Sequence, residues 1–229
     1  MVRRTRKESK ALTRRTLVAA AWKVFLRRGF HASSLEEIAL EAGVTKGAVY
    51  SNFAGKGDLF LAIFDRHIEE RLRAYAASMA ILPVEGLESL ARKHARVMLA
   101  NGDREARWAR LQAEVWTHAS DDPDLASALM ARRERMLNGV AALVEKIVEI
   151  TGVEFTLPPR EVARAAGGLA RGLMLERLLG RGSPSDAQFE DAFAALICGL
   201  ARPSPRKINS NRKRSMAMGG RANVSGRCV

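Results

Sequence analysis

The sequence has 229 residues, of which 47% are hydrophobic and 28% are charged, a balance typical of a globular chain that can bury a core. The formal net charge is +13, yet residues 17–202 carry 24 basic and 24 acidic side chains, so the excess lies at the two ends. No apolar run reaches bilayer-spanning length, no secretory signal is visible, and Cys198 and Cys228 imply no disulfide framework, so we expect a cytoplasmic protein without membrane segments.

Two predicted helices come first. The first helix carries an apolar stripe and ends at Gly29, after which Phe30 closes the corner. Its stripe consists of Leu17, Ala20, Ala21, Val24 and Phe25. The second helix buries Leu35, Ile38, Ala39 and Ala42, which share one face. Ser34 and Glu37 form a capping-box pattern before the second helix, and Gly43 is typical of a helix end.

A third, short helix follows almost immediately. Thr45 is suited to cap it, and Val49 and Phe53, four residues apart, define its buried side. The opposite side carries Lys46, Gly47, Tyr50 and Ser51. Two short helices joined by a tight turn containing glycine are the helix-turn-helix arrangement, and these outward groups suit phosphates and base edges. We therefore expect residues 13–56 to form a domain that binds double-stranded DNA.

Both ends of the chain are basic. Before residue 17 there are seven basic residues against one acidic residue, and after residue 202 there are seven against none. Residues 1–12 are predicted to form a basic N-terminal arm that reaches the duplex backbone or minor groove. Residues 203–229 show no hydrophobic periodicity and are predicted to form a basic, disordered tail, which leaves open whether the tail is more than a solvated end.

Residues 57–202 continue as helix after helix, with about nine helices expected in the whole chain. Breaks are predicted at residues 101–103, at 121–124 and at 182–184, and a loop is predicted around Phe155. No segment shows convincing strand alternation. The predicted class is therefore all-α, with a three-helix DNA-binding domain followed by a larger helical domain.

The last two predicted helices point to self-association. The final helix carries a wide apolar stripe of Phe189, Phe193, Leu196, Ile197 and Leu200. The helix before it contains small side chains at residues 165–172, which let helix backbones approach closely. Part of this surface must pack within the protomer, but we expect the rest to form a homodimer, which would present two helix-turn-helix units to a palindromic site.

A group of residues in the middle of the larger domain motivates a ligand hypothesis. The candidates are Met98, Trp108, Leu111, Glu114, Val115 and His118. Core packing is the alternative for any single one. As a group they suggest a small apolar ligand that meets Glu114 or His118 and displaces the fourth helix. The four histidines show no metal-ligand spacing, so we expect neither a metal nor a cofactor.

The segment from Thr13 to His67 resembles the DNA-binding domain of the TetR family of bacterial transcription regulators. The first-helix stripe, the GF corner, S-S-L-x-x-I-A, the A-G-V turn, K-G-x-V-Y and F-x-x-K occur together and in that order. The later helices resemble the family's ligand-binding and dimerisation domain in number and layout. The resemblance implies a sequence-specific regulator, a repressor rather than an activator, that a small molecule releases from its operator.

The resemblance also implies individual roles for residues of the second and third helices, of which the third is the reading helix, the one that enters the DNA groove. Ser34 is expected to donate to a phosphate at the start of the second helix, and Thr45 to cap the third. Both residues are caps whether or not DNA is bound. Lys46 and Gly47 are expected to approach the major groove, where a lysine meets a guanine edge or a phosphate.

Further expected contacts follow along the same helix. Tyr50 is expected to contact a backbone oxygen or a thymine methyl, with Ser51 or Asn52 beside it, and Lys56 to hold a phosphate. Family members place longer polar residues where this chain has Ala48. We therefore expect sparse base readout and a larger contribution from DNA shape.

Two other classes of function are less consistent with the sequence. An enzyme would show a nucleophile motif, a phosphate loop or clustered carboxylates, and the sequence shows none of these. A non-specific or architectural DNA-binding protein fits the basic ends, but it does not need the reading helix.

Overall fold

The structure is a computed structural model that describes residues 5–79, 82–100 and 102–203. Its helices are α1 (Arg6–Arg28), α2 (Leu35–Ala42), α3 (Lys46–Tyr50), α4 (Lys56–Ser78), α5 (Leu82–Leu99), α6 (Gly102–Ala119), α7 (Pro123–Thr151), α8 (Pro159–Glu176) and α9 (Asp186–Leu200). A 3-10 turn covers Arg177–Leu179, and two short strands are β1 (Val153–Phe155) and β2 (Ala201–Pro203). The predicted all-α class is confirmed.

The two strands form a small antiparallel ribbon. Val153 pairs with Pro203 and Phe155 with Ala201, and the Thr156 N–H donates to the Leu200 carbonyl at 2.8 Å. The predictions of a loop at Phe155 and of no strands were wrong for these segments. Three residues are too few to show the alternation by which a strand is recognised.

Helix α1 begins earlier than the sequence suggested. The Thr5 hydroxyl accepts from the Glu8 N–H at 3.2 Å, and the Glu8 carboxylate accepts from the Thr5 N–H at 2.7 Å. This capping box starts the helix well before its apolar stripe, so most of the segment expected as an arm (1–12) is helical. Residues 1–4 and the expected tail beyond β2 lie outside the described residues.

The head consists of α1, α2, α3 and the first turns of α4. Its core contains the predicted stripes, with Leu17, Ala20, Ala21, Val24, Phe25, Phe30, Ile38, Ala39, Val49 and Phe53 buried. Leu35 and Ala42 are partly buried against the same core. Helix α2 ends at Gly43, whose φ of 66° is the left-handed conformation expected there.

The core of the head continues into the larger domain, here called the body. Four residues of α6 and two of α7 belong to the same buried cluster as the head, namely Trp108, Leu111, Val115, Ala119, Leu125 and Leu129. Helix α4 runs from this cluster into the body. The predicted boundary after residue 56 therefore crosses one continuous hydrophobic core, so the head cannot reorient without disturbing α6 and α7.

The body packs α5 against α9 and α7 against α8 around a second cluster. Phe189 and Phe193 of α9 are 0% and 4% exposed, and their rings stack with centroids 6.5 Å apart. The apolar stripe that we expected to reach a partner is thus largely used within the protomer. Among the described helices, none combines the length and the hydropathy that a membrane-spanning helix needs.

Candidate nucleic-acid interface and ligand cavity

Two hydrogen-bonded caps fix the helix-turn-helix. The Ser34 hydroxyl accepts from the Glu37 N–H at 3.1 Å, and the Glu37 carboxylate accepts from the Ser34 N–H at 3.0 Å. The Thr45 hydroxyl accepts from the Ala48 N–H at 3.2 Å. Because α3 has only five residues, it depends on this cap and on packing rather than on its own propensity. Both predicted caps are confirmed as caps.

Helix α3 has one buried and one exposed side. Val49 is fully buried and Phe53 is 2% exposed, so these two side chains fix the helix to the head. The opposite side is open to solvent, with Thr45, Lys46, Gly47, Tyr50 and Ser51 exposed. A Cβ atom placed on Gly47 would meet only the Thr45 hydroxyl, at 3.9 Å. The missing side chain therefore leaves space for another molecule to approach the helix backbone closely.

Lys46 is held on this face by one carboxylate. Its ammonium forms an ion pair with Glu36 of α2 and lies 5.8 Å from the centre of the Tyr50 ring. Their hydrogen bond raises the pKa of Lys46 and lowers the pKa of Glu36. Both side chains are 55% exposed, so the pair is weak and solvent-screened, and a phosphate can replace the carboxylate.

Asn52 forms hydrogen bonds at the C-terminal end of α3 and does not belong to its exposed side. Its amide nitrogen donates to the Ala48 carbonyl at 2.8 Å, and the Ser51 hydroxyl donates to the same carbonyl at 3.0 Å. Arg14 of α1 donates to the Asn52 carbonyl at 2.7 Å and covers the Phe53 ring at 4.0 Å. Arg14 was not predicted as a site residue, because the sequence shows it only as one of several charges in a basic segment.

Lys56 has contacts that differ from the expected phosphate contact. Its ammonium donates to the carbonyls of Phe30, His31 and Ser33 at 3.0, 3.2 and 2.9 Å. A lysine has three N–H donors, and all three are thus used inside the head. Lys56 therefore holds the turn between α1 and α2 and has no donor left for DNA in this arrangement.

The body contains a cavity of about 220 Å³ enclosed by α4 to α9. Its wall is mostly apolar and includes Phe64, Ile68, Leu87, Leu90, Met98, Trp108, Trp116, Val144, Ile147 and Phe193. Of the six predicted ligand residues, Met98 and Trp108 line the cavity. Leu111, Glu114, Val115 and His118 do not; they lie where α6 meets the head.

Glu114 forms the principal polar link between body and head. Its carboxylate accepts from the buried N–H of Phe30 at 2.7 Å and pairs with Arg110 at 3.1 Å. The ring of His118 lies 5.4 Å from that of Phe30 and 5.5 Å from that of His31. No cluster of three or more metal-ligand side chains occurs in the part of the chain that the structure describes.

Several charged groups line the cavity. Arg71 and Glu105 form an ion pair in which each side chain is 12% exposed. His67 packs on Trp108 with ring centres 4.4 Å apart. Burial, followed by the charges of Arg71 and Arg104, lowers the pKa of His67 well below its usual value. This histidine is consequently neutral at neutral pH.

Two further arginines flank one tryptophan of the wall. The guanidinium carbons of Arg133 and Arg171 lie 5.5 and 4.7 Å from the centre of the Trp116 ring. Burial lowers the pKa of each, and repulsion from Arg164 and from Arg133, respectively, adds to the effect. The sequence analysis missed both arginines, because they lie on different helices and share no spacing.

An exposed, capped reading helix on a head that shares its core with a cavity-bearing body is the geometry of a helix-turn-helix DNA-binding regulator. Comparison with known proteins agrees. Residues 17–63 match the family described as bacterial regulatory proteins, tetR family, and residues 88–202 match the one described as BetI-type transcriptional repressor, C-terminal. The chain therefore belongs to the TetR family of bacterial transcriptional regulators, as the sequence predicted.

Individual relatives show how far the similarity extends. The repressor BepR of Brucella suis is 49% identical over 65 residues, a match that spans 28% of this chain and only 31% of that relative. The regulator BetI of Brucella canis is 25% identical over 202 residues, covering 84% of this chain and 95% of BetI. A solved TetR-family regulator from Mesorhizobium loti MAFF303099 has a TM-score of 0.66 at 25% identity, covering 86% and 97% of the two chains.

Proposed function

We propose that the chain is a homodimeric repressor that binds a palindromic operator through α3 and leaves it when a small molecule enters the body cavity. The open face of α3 is the observation that carries the proposal. Lys46, Gly47 and Tyr50 are exposed together on a helix whose other side is buried. Thr45 stands at its edge, where the hydroxyl oxygen caps α3 and the O–H can donate to a phosphate, whereas the hydroxyls of Ser34 and Ser51 donate within the head, to Glu37 and to the Ala48 carbonyl.

The open face favours a sequence-reading function over non-specific DNA coating. A protein that coats DNA needs only positive charge, whereas this face combines one lysine with a glycine and the phenol of Tyr50. The Tyr50 side chain is 53% exposed. The ion pair of Lys46 with Glu36 keeps the lysine oriented before DNA arrives. Ala48 has a short side chain that cannot hydrogen-bond to a base edge, which supports a contribution from DNA shape.

The outer face of α8 and α9 supports the proposed dimer. Gly168 and Gly172 are exposed one turn apart on α8, and a Cβ atom on either would meet nothing within 4 Å. Ala195 and Gly199 are likewise exposed one turn apart on α9. Faces built from small residues allow the helices of two protomers to approach closely. A twofold dimer then places two copies of α3 one or more helical turns apart, which matches a palindrome.

The shared core supports a ligand-controlled release. Trp108 lines the cavity and also belongs to the hydrophobic cluster of the head. On the same helix, Glu114 binds the backbone N–H of Phe30. A ligand that shifts α4 or α6 therefore moves the head, and a coupling of about 1–3 kcal/mol suffices to weaken operator binding severalfold to a hundredfold.

Operator binding by variants of the open face tests the DNA part of the proposal. The operator is first located by a genome-wide footprint of bound sites, and affinities for it and for random DNA are then compared at one salt concentration. We expect at least about a thousandfold preference for the operator in the native protein. We expect Lys46→Ala and Tyr50→Ala each to reduce that preference by about tenfold, because a base contact is worth about 1–3 kcal/mol of discrimination against the wrong base.

Lys146→Ala on α7 is the matched control, since it removes an exposed lysine from the body and leaves α3 intact. Its preference for the operator should equal that of the native protein. Equal affinity of the native protein for operator and random DNA would contradict sequence-specific regulation. Unchanged preference in both α3 variants would assign the reading surface to another part of the chain.

A further inference from the structure

The charges that line the cavity do not balance. Four arginines, Arg71, Arg133, Arg164 and Arg171, line it together with one glutamate, Glu105. Arg71 is paired with Glu105, and Arg164 donates to Glu161 at 3.0 Å. Arg133 and Arg171 remain, and no carboxylate of the described residues forms an ion pair with either. The cavity wall thus carries two uncompensated, partly buried cations.

Both of these arginines contact the ring of Trp116. Both guanidinium carbons lie within 5.5 Å of the centre of its ring. Partial burial disfavours the charged form of both side chains, as does repulsion of Arg133 by Arg164 and of Arg171 by Arg133, yet a guanidinium stays protonated in proteins. An anion at this position would relieve the repulsion and supply the hydrogen-bond acceptors that an arginine normally finds.

Gln112 adds an independent observation. Its side chain lines the cavity one helical turn before Trp116, is 8% exposed, and has no hydrogen-bond partner among the described residues. A carboxamide that faces a mostly apolar cavity without a protein partner is available for a hydrogen bond to a ligand. A polar group of a ligand would satisfy the carboxamide and face the two arginines at the same time.

A second part of the cavity wall is mostly apolar, with His94 as its titratable group, whose pKa burial lowers. Leu87, Leu90 and Ile147 line it there, and they form a separate buried cluster with Val153 of β1. The cavity therefore has a cationic end, where Trp116 packs against the core of the head, and an apolar end near the ribbon. A ligand that fills both ends must be amphipathic.

We propose that the cavity binds an apolar molecule with one anionic head group, a carboxylate or a phosphate, which contacts Arg133, Arg171 and Gln112 while its apolar body extends toward Leu90 and Ile147. This inference rests on the proposed ligand-controlled function and specifies its ligand class. It also explains why the arginines lie next to Trp116, since binding there acts on the side of α6 that contacts the head.

Three probes with unbranched ten-carbon skeletons test the proposal on the full-length protein by isothermal titration calorimetry. They are decanoate, decan-1-ol and decyltrimethylammonium, which carry an anionic, a neutral and a cationic head group. We expect decanoate to bind at least about tenfold more tightly than decan-1-ol, because hydrogen bonds to a charged group add about 1.5–3 kcal/mol. We expect the cationic probe to bind least. Preference for the alcohol or the cation, or no binding of any probe, overturns the proposal.

Two variants assign the preference to the proposed end of the cavity. Arg133→Gln and Arg171→Gln should each weaken decanoate binding about tenfold and leave decan-1-ol binding unchanged, which shows that the cavity is intact. Arg107→Gln removes a charge from the exposed side of α6 and serves as the control, with decanoate binding equal to that of the native protein. Decanoate binding that is equal in both cavity variants and the native protein overturns the assignment.

Operator binding in the presence of the probes separates this inference from the proposed function. Decanoate that binds through the arginines but leaves operator affinity unchanged supports the anion site and contradicts ligand-controlled release. Release by the alcohol or the cation, with no effect of decanoate, supports ligand-controlled release and overturns the anionic ligand class.

Discussion

Lys56 matches the F-x-x-K motif of the family, and in this structure the side chain has a structural role. Its ammonium joins three backbone carbonyls of the turn between α1 and α2 and lies 5.1 Å from the centre of the Phe30 ring. Lys56→Met keeps the length of the chain and removes all three hydrogen bonds. We expect the free energy of unfolding to fall by about 2 kcal/mol, as measured by urea denaturation.

Lys23→Met is the matched control for this variant. Among the residues that the structure describes, Lys23 donates only to Glu41, at 3.3 Å, and its side chain is 66% exposed, so its loss should change stability by less than about 0.5 kcal/mol. A phosphate contact predicts the opposite result for Lys56→Met. Stability would stay unchanged, while the salt dependence of operator binding would fall by about one unit of slope.

At the scale of the element, α6 both lines the cavity and packs against the head. Its contact to the head depends on Glu114, which accepts from the buried Phe30 N–H at 2.7 Å. The chain turns there through Gly29, at φ 82°, and a Cβ atom on Gly29 would lie 2.7 Å from the Glu114 carboxylate. We expect Glu114→Ala to lower the free energy of unfolding by about 2 kcal/mol, because it leaves a buried N–H without an acceptor.

Two companion variants isolate that hydrogen bond. Glu114→Gln retains an acceptor for the Phe30 N–H and should be clearly more stable than Glu114→Ala in the same denaturation experiment. Arg110→Ala removes only the exposed partner of the ion pair, whose side chain is 46% exposed, and should have little effect. Equal losses in Arg110→Ala and Glu114→Ala would assign the stability to the ion pair instead.

Elements were predictable where local chemistry defines them. The stripe of α1, the caps at Ser34 and Thr45, and the glycine ends of α1 and α2 follow from spacing and from side-chain chemistry within a few residues. Contacts between distant segments were not predictable in this way. The three carbonyls around Lys56 and the arginines around Trp116 are brought together only by tertiary packing, and β1 and β2 are too short to carry a period.

At the scale of the whole molecule, the proposed palindromic operator would require two heads at a fixed distance, so the proposal predicts a dimer interface on the protomer surface. The aromatic side chains of α9 do not supply it, because Phe189 and Phe193 are buried within the protomer. The small-residue face of α8 and α9 remains, bordered by Leu179, which is 81% exposed. Covering exposed apolar groups such as Leu179 with a partner removes them from water, which favours association at this face.

Gly172→Glu tests whether this face holds the dimer together. A side chain at Gly172 would meet nothing within 4 Å in the protomer, and glutamate is a better helix former than glycine, so each protomer should remain folded. At the interface the same carboxylate would be buried without a partner, and we expect the dimer dissociation constant in sedimentation equilibrium to rise by at least about tenfold. Operator affinity should fall with it, whereas Ala142→Glu, on the exposed side of α7, should leave both unchanged. A Gly172→Glu variant that sediments as the same dimer would move the interface to another face of the body.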